Sequence, residues 1–217
     1  MKTMVLDKKR GAVDPILSKL ATMFSSFSPD FFTWLALLCA ILASIFFYYS
    51  TPTFELEIPF LLFASLFVFL NGLFDAVDGK IAKLRHISSR KGDFLDHAID
   101  RFADVFIVGG LALSPWCHVE IGFFAMIGML LTSYMGTQAQ AVGQKRLYAG
   151  LLGRADRLAL LIFAPIIQYL FLIFFIPTIY GFSLLDWVLI YLAVVGNFTA
   201  VQRFISTLLS FNDKKNK

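Results

Sequence analysis

The sequence predicts an all-α polytopic membrane protein: a bundle of six membrane-spanning helices preceded by an amphipathic helix on the membrane surface. Three observations carry that expectation. Of 217 residues, 58% are hydrophobic and 16% charged, and mean hydropathy is +0.74, outside the usual composition of a soluble domain. The apolar residues gather into runs long enough to cross a hydrocarbon core of roughly 30 Å. Lys and Arg concentrate in alternate connections between those runs.

Residues 12–24 come first, with apolar side chains at 13, 16, 17, 20, 23 and 24 and Pro15 in the first turn. That spacing predicts a short amphipathic helix lying on the membrane surface. Ser28-Pro29-Asp30 then breaks the chain and opens the first span, with Ser28 or Asp30 as the capping side chain. The predicted spans are 31–50, 57–80, 92–114, 119–143, 155–176 and 183–210. They form one domain over 1–217: a juxtamembrane segment (1–28), the bundle (29–210) and a tail (211–217). The polar first dozen residues, followed by a retained apolar run, predict no cleavable signal peptide.

Orientation follows from the basic residues. Lys8, Lys9 and Arg10 precede the first span. Lys80, Lys83, Arg85, Arg90 and Lys91 lie between the second and third, Lys145, Arg146, Arg154 and Arg157 between the fourth and fifth, and Lys214, Lys215 and Lys217 end the chain. The other connections (51–56, 114–118, 177–182) hold no Lys or Arg. The positive-inside rule then places both termini on the cytoplasmic side of the cell membrane. The net charge of +4 reflects this asymmetry and calls for no nucleic-acid partner, though it suits anionic lipid headgroups. Cys39 and Cys117 carry no pairing motif, and His86, His97 and His118 are scattered. His97 follows Asp96, but on a helix it points about 100° away, against a ligand role.

The most informative stretch runs from Asp75 to Arg101, between two apolar runs. A lone ionised Asp deep in a membrane helix costs roughly 2.5–3.5 kcal/mol, so several together need a positive partner. Asp75 and Asp78 are three residues apart, and Asp96 and Asp100 are four apart, so each pair shares a helix face. If those faces meet, the carboxylates converge, and one or two divalent cations are the natural counter-charge. Gly79 and Gly92 stand where a backbone approaches a ligand. Solvated charges at two helix ends would explain one or two Asp at irregular spacing, not this regular set.

The same residues resemble the signature of the CDP-alcohol phosphotransferase family, D-x-x-D-G-x-x-A-R, then about eight residues, then G-x-x-x-D-x-x-x-D. Asp75, Asp78, Gly79, Ala82, Gly92, Asp96 and Asp100 meet it, with Lys83 in place of the usual Arg. Lysine keeps the charge but lacks the planar fork that grips a pyrophosphate. The resemblance implies a site with two Mg²⁺ or Mn²⁺ ions on Asp75, Asp78, Asp96 and Asp100, with Asp100 as general base. It also implies Asp78, Gly79, Ala82, Lys83 and Gly92 as contacts to a CDP-linked donor. The family's Pro-Asn followed by Thr corresponds here to Pro29, Asp30 and Thr33, either a helix cap or part of the nucleotide site. A homodimer is a further implication of the resemblance.

Two later elements point to the acceptor. Ser133-Tyr134 near the end of the fourth span, with Gly153-Arg154-Ala-Asp156-Arg157-Leu158 opening the fifth, resembles the branch of the family that accepts inositol phosphate. Arg154 and Arg157, three apart at a helix start, form a ready anion site, and the resemblance assigns them to the acceptor's phosphate. Arg203 in the sixth span supplies a third positive contact. Arg101 and Asp104 read as a structural ion pair. The expected reaction is transfer of a phosphatidyl or archaetidyl group to inositol phosphate with release of CMP. CDP-inositol as donor and glycerol phosphate as acceptor remain alternatives. A divalent-cation transporter is a more distant one, disfavoured because the acids sit at one membrane face rather than mid-bilayer.

Overall fold

The computed structural model describes residues 10–51, 59–87, 89–144, 151, 153–176 and 178–215. Seven helices are found among them: α1 (Arg10–Met23), α2 (Pro29–Tyr49), α3 (Phe60–Leu84), α4 (Arg90–Ala112), α5 (Val119–Ala141), α6 (Arg154–Ile173) and α7 (Leu184–Lys215). No β-strand occurs among the described residues; the nearest is an isolated bridge between Ile179 and Phe182. The expected basic pair Lys145-Arg146 lies outside the described residues.

Local chemistry sets the helix starts. Ser28 Oγ accepts from Phe31 N at 3.3 Å while Pro29 occupies the first turn of α2, where its missing N–H is harmless. Ser89 Oγ accepts from Gly92 N at 3.0 Å and opens α4. At α6, Gly153 caps the helix and its N–H donates to Asp156 Oδ2 at 3.1 Å.

Five helices (α2, α3, α5, α6 and α7) are long and apolar enough to cross a membrane, so the chain is an integral membrane protein. The remaining long helix, α4, has 23 residues but carries Asp93, Asp96, Asp100, Arg101 and Asp104. The acidic stretch therefore denies this helix the composition of a simple span, although its second half is apolar.

Packed neighbours trace a ring: α2 against α3 and α4, α3 against α6, α6 against α7, α7 against α5, and α5 against α4. Its core holds Phe47, Val68, Ile107, Leu111, Met129, Leu189 and Leu192. Close approach depends on glycine at two helix crossings. A Cβ on Gly110 would collide with Ser44, and one on Gly128 would lie 2.7 Å from Asn197 N. Trp34, Leu38, Ile45, Phe69, Phe123, Phe163 and Val194 face outward, as suits a lipid solvent.

The amphipathic helix is present as α1, and its apolar residues divide. Leu17, Leu20, Ala21 and Phe24 pack with Phe32, Val77 and Ile81 of α2 and α3, whereas Ile16 and Met23 are exposed. An ion pair from Asp14 to Lys80 at 2.6 Å ties α1 to the end of α3 that bears the Asp residues.

Candidate active site

Helices α3 and α4 barely touch each other directly, yet both pack against α2, and α3 also packs against α6. Their acidic faces meet with help from those neighbours. Asp78 on α3 is buried (4% exposed), and Thr33 on α2 donates to its Oδ2 at 2.7 Å. The Asp75 carboxylate stands close enough to Asp78 and Asp100 for their like charges to interact. Arg154, the first residue of α6, spans the gap: its Nη1 is 2.7 Å from Asp75 Oδ2 and its Nη2 is 2.5 Å from Asp100 Oδ1. All four acids of the signature thus gather at one end of the bundle.

The donor set suits a divalent cation. Asp96, His97 and Asp100 each offer a ligand atom, all within 4.8 Å of one another, a span that one ion with bonds of roughly 2.0–2.6 Å can bridge. Hard oxygens dominate the cluster, as Mg²⁺ or Mn²⁺ prefers. A Cβ built on Gly79, one residue after Asp78, meets nothing within 4 Å, so the backbone there fronts open space. Lys83 is exposed at the last turn of α3 and Ala82 is half-buried. Gly92 has a structural duty, its N–H held by the Ser89 cap.

His97 departs from the sequence reading. The one-residue offset from Asp96 is real, but the imidazole spans its neighbours: Nδ1 lies 3.4 Å from Asp96 Oδ2 and Nε2 lies 3.5 Å from Asp93 Oδ1. Helical periodicity alone misses this contact because it fixes the Cβ direction, not the rotamer. Thr33 is the other residue whose place was open. Ser28 serves as the cap, which leaves Thr33 to fix the Asp78 carboxylate.

Behind the cluster lies a second charged layer. Arg101 pairs with Asp104 at 2.9 Å, reaches Asp100 at 3.6 Å and donates to Ser133 Oγ. Arg157 is buried (3% exposed) and pairs with Asp104 at 3.2 Å. Arg203, 8% exposed, donates to the Thr132 carbonyl at 2.6 Å. Of the three arginines expected at an acceptor site, Arg154 pairs with Asp75 and Asp100 of the cluster, while Arg157 bonds Asp104 and Arg203 bonds the Thr132 carbonyl. A cavity of about 290 Å³ opens between α4 and α5, lined by His97, Arg101, Leu130, Ser133, Tyr134 and Thr137.

The arrangement can hold metal-bound phosphates against a carboxylate base, which is the chemistry of phosphoryl-type transfer. Comparison with known proteins agrees. The model of the CDP-alcohol phosphatidyltransferase family matches residues 26–199. The chain belongs to this family. It is accordingly a membrane-embedded transferase.

Among curated relatives, an archaetidylinositol phosphate synthase of Pyrococcus horikoshii is 27% identical over 75% of this chain and 82% of its own. A phosphatidylinositol phosphate synthase of Streptomyces avermitilis is 32% identical over 66% of this chain and 60% of its own. The fold resembles that of the Mycobacterium tuberculosis phosphatidylinositol phosphate synthase crystallised with CDP-DAG. That likeness has a TM-score of 0.69 at 22% identity and covers 89% of this chain and 94% of that one. A second crystal structure of that enzyme, in complex with manganese and citrate, gives a TM-score of 0.70 at 22% identity, covering 88% of each chain.

Proposed function

We propose that the protein transfers a phosphatidyl or archaetidyl group from a CDP-linked lipid to inositol phosphate, releasing CMP. The observation that carries this reading is the convergence of Asp75, Asp96 and Asp100 around Arg154, with Asp78 beside them, in a chain whose similar relatives are named for inositol phosphate products.

Asp75, Asp78, Asp96 and Asp100, with His97 at hand, would hold two divalent cations, Mg²⁺ or Mn²⁺. Bound cations in such a site neutralise the pyrophosphate and the charge developing on the departing CMP. Gly79 lets the donor's phosphates approach the α3 backbone, while Ala82, Lys83 and Gly92 border the nucleotide. Thr33 keeps the Asp78 carboxylate in one orientation. Asp100 takes the proton from the acceptor hydroxyl as it attacks the phosphorus. Arg154 meets the acceptor's phosphate, and Arg157 and Arg203, tied to Asp104 and Thr132, set the ends of α6 and α7 that frame it.

The membrane arrangement follows from charge. Six spans, with α4 counted among them, put the acidic end and both termini in the cytoplasm, where inositol phosphate and CMP are soluble. The outward apolar faces admit the donor's chains sideways from the bilayer. A homodimer is the assembly expected for the family, and α1 rests on the cytoplasmic leaflet through Ile16 and Met23.

The test is an acceptor screen. Purified protein with one CDP-lipid and Mg²⁺ receives inositol phosphate, inositol, glycerol 3-phosphate or serine in turn. CMP release with inositol phosphate alone supports the proposal; release with glycerol 3-phosphate instead overturns the acceptor, and release with none of them overturns the reaction.

A further inference from the structure

Arg154 stands apart from the other cations at this end. Arg157 pairs with Asp104, and Arg101 bonds Asp104 and Ser133 at closer range than Asp100. Both carboxylate partners of Arg154 are members of the Asp cluster itself. Its guanidinium is also the direct ionic link from Asp75 on α3 to Asp100 on α4, two helices that scarcely touch otherwise. The Nε atom is buried and has no partner, so this pose leaves at least one of the five donors unused.

We propose that Arg154 competes with the divalent cations for Asp75 and Asp100, and that a phosphorylated acceptor relieves the competition by drawing the guanidinium away. This rests on the metal-site reading given above. A divalent cation bonds carboxylate oxygens at roughly 2.0–2.6 Å. Bound to Asp75 Oδ2 or Asp100 Oδ1, it lies within bonding distance of atoms already 2.7 and 2.5 Å from the guanidinium nitrogens. Two like charges cannot share those oxygens without strong repulsion in a poorly hydrated site. Arg154 sits at the first position of α6, so its side chain can leave the cluster by rotamer change without unwinding the helix. An acceptor phosphate offers it a bidentate partner in exchange. Linkage makes the effect reciprocal: an acceptor that recruits Arg154 tightens metal binding, and an unphosphorylated acceptor does not.

Mn²⁺ binding to the purified full chain, followed by the free-ion electron paramagnetic resonance signal without any substrate, tests the idea. Arg154→Gln should bind Mn²⁺ roughly tenfold to a hundredfold more tightly than the wild type, the range expected for removal of one charge-assisted contact. The same variant should melt at a lower temperature in EDTA and gain more on adding Mn²⁺. Arg154→Lys, which keeps the charge but cannot bridge two carboxylates as a fork, should tighten binding less and serves if the Gln variant fails to fold. Equal or weaker Mn²⁺ affinity in both variants, with a wild type that binds, overturns the competition and leaves the metal site standing. A wild type and variants that all bind no Mn²⁺ overturn the metal site and the competition together.

Discussion

The two ends of the bundle solve the problem of buried polarity in opposite ways. At the end away from the Asp cluster, Asp186 is 2% exposed, yet backbone and short local contacts account for it. Its Oδ1 accepts from His118 N at 2.8 Å, its Oδ2 lies 3.0 Å from His118 Nδ1, and its own N–H donates to Ser183 Oγ at 2.9 Å. Trp116 Nε1 donates to Ser50 Oγ at 2.9 Å, and Ser183 Oγ to the Trp116 carbonyl at 2.8 Å. One acid is matched to donors already in place, and the result is a clasp joining α2, α5 and α7. At the acidic end, Asp75, Asp78, Asp96, Asp100 and Asp104 crowd together and draw on Thr33, His97, Arg101, Arg154 and Arg157. Arg154 and Arg157 each leave a buried Nε without a partner, so that end is shaped for something besides its own cohesion. A buried polar group whose partners are all in place marks structure, and crowded carboxylates beside unpartnered buried donors mark a binding site.

That contrast is broken or sharpened by substitutions at each end. The largest expected effect is at the proposed metal ligands: Asp75→Asn or Asp96→Asn should reduce CMP release to background while the protein still inserts and folds, as checked by size-exclusion chromatography. Next, Asp100→Asn should bind CDP-lipid nearly as well as the wild type but lose turnover by about 10²–10⁴-fold, the usual worth of a general base. A loss under about tenfold would move the base elsewhere. Thr33→Val removes the hydroxyl that holds Asp78 and should lower kcat/KM by roughly tenfold, as expected for one hydrogen bond to a charge, with Thr33→Ser restoring most of it. The smallest effect on activity belongs to the opposite end. Asp186→Asn should leave kcat and KM unchanged and lower stability by about 1–3 kcal/mol, read as a fall in the melting midpoint. A large loss of activity there would erase the distinction between the two ends.

Much of this was legible in the sequence, for reasons that differ by residue. Apolar run length locates α2, α3, α5, α6 and α7 to within about five residues, because a bilayer fixes how many residues a span needs. The spacing of Asp75, Asp78, Asp96 and Asp100 predicts the cluster, because a helix puts residues three and four apart on one face. What spacing cannot supply is which distant helix answers a charge. Thr33 meets Asp78 across 45 positions and Arg154 meets Asp75 across 79, contacts fixed by the ring of packing rather than by local periodicity. Arg154 and Arg157 look equivalent as an i, i+3 pair, yet one faces the cluster and the other is buried against Asp104. Helical angle points His97 away from Asp96, yet its rotamer carries Nδ1 to 3.4 Å from Asp96 Oδ2. The inertness of Cys117 also needed the structure: burial, and then the nearby Asp186, push its thiol well above the ordinary range, against a reactive role.

The central claim is that chemistry resides at the acidic end and the opposite end only holds the bundle together. It is tested most directly by CMP release from a CDP-lipid plus inositol phosphate, for wild type, Asp96→Asn and Asp186→Asn side by side, with Mg²⁺ and with EDTA. The account predicts metal-dependent release from the wild type and Asp186→Asn and none from Asp96→Asn. Release by Asp96→Asn, or activity indifferent to EDTA, would contradict it.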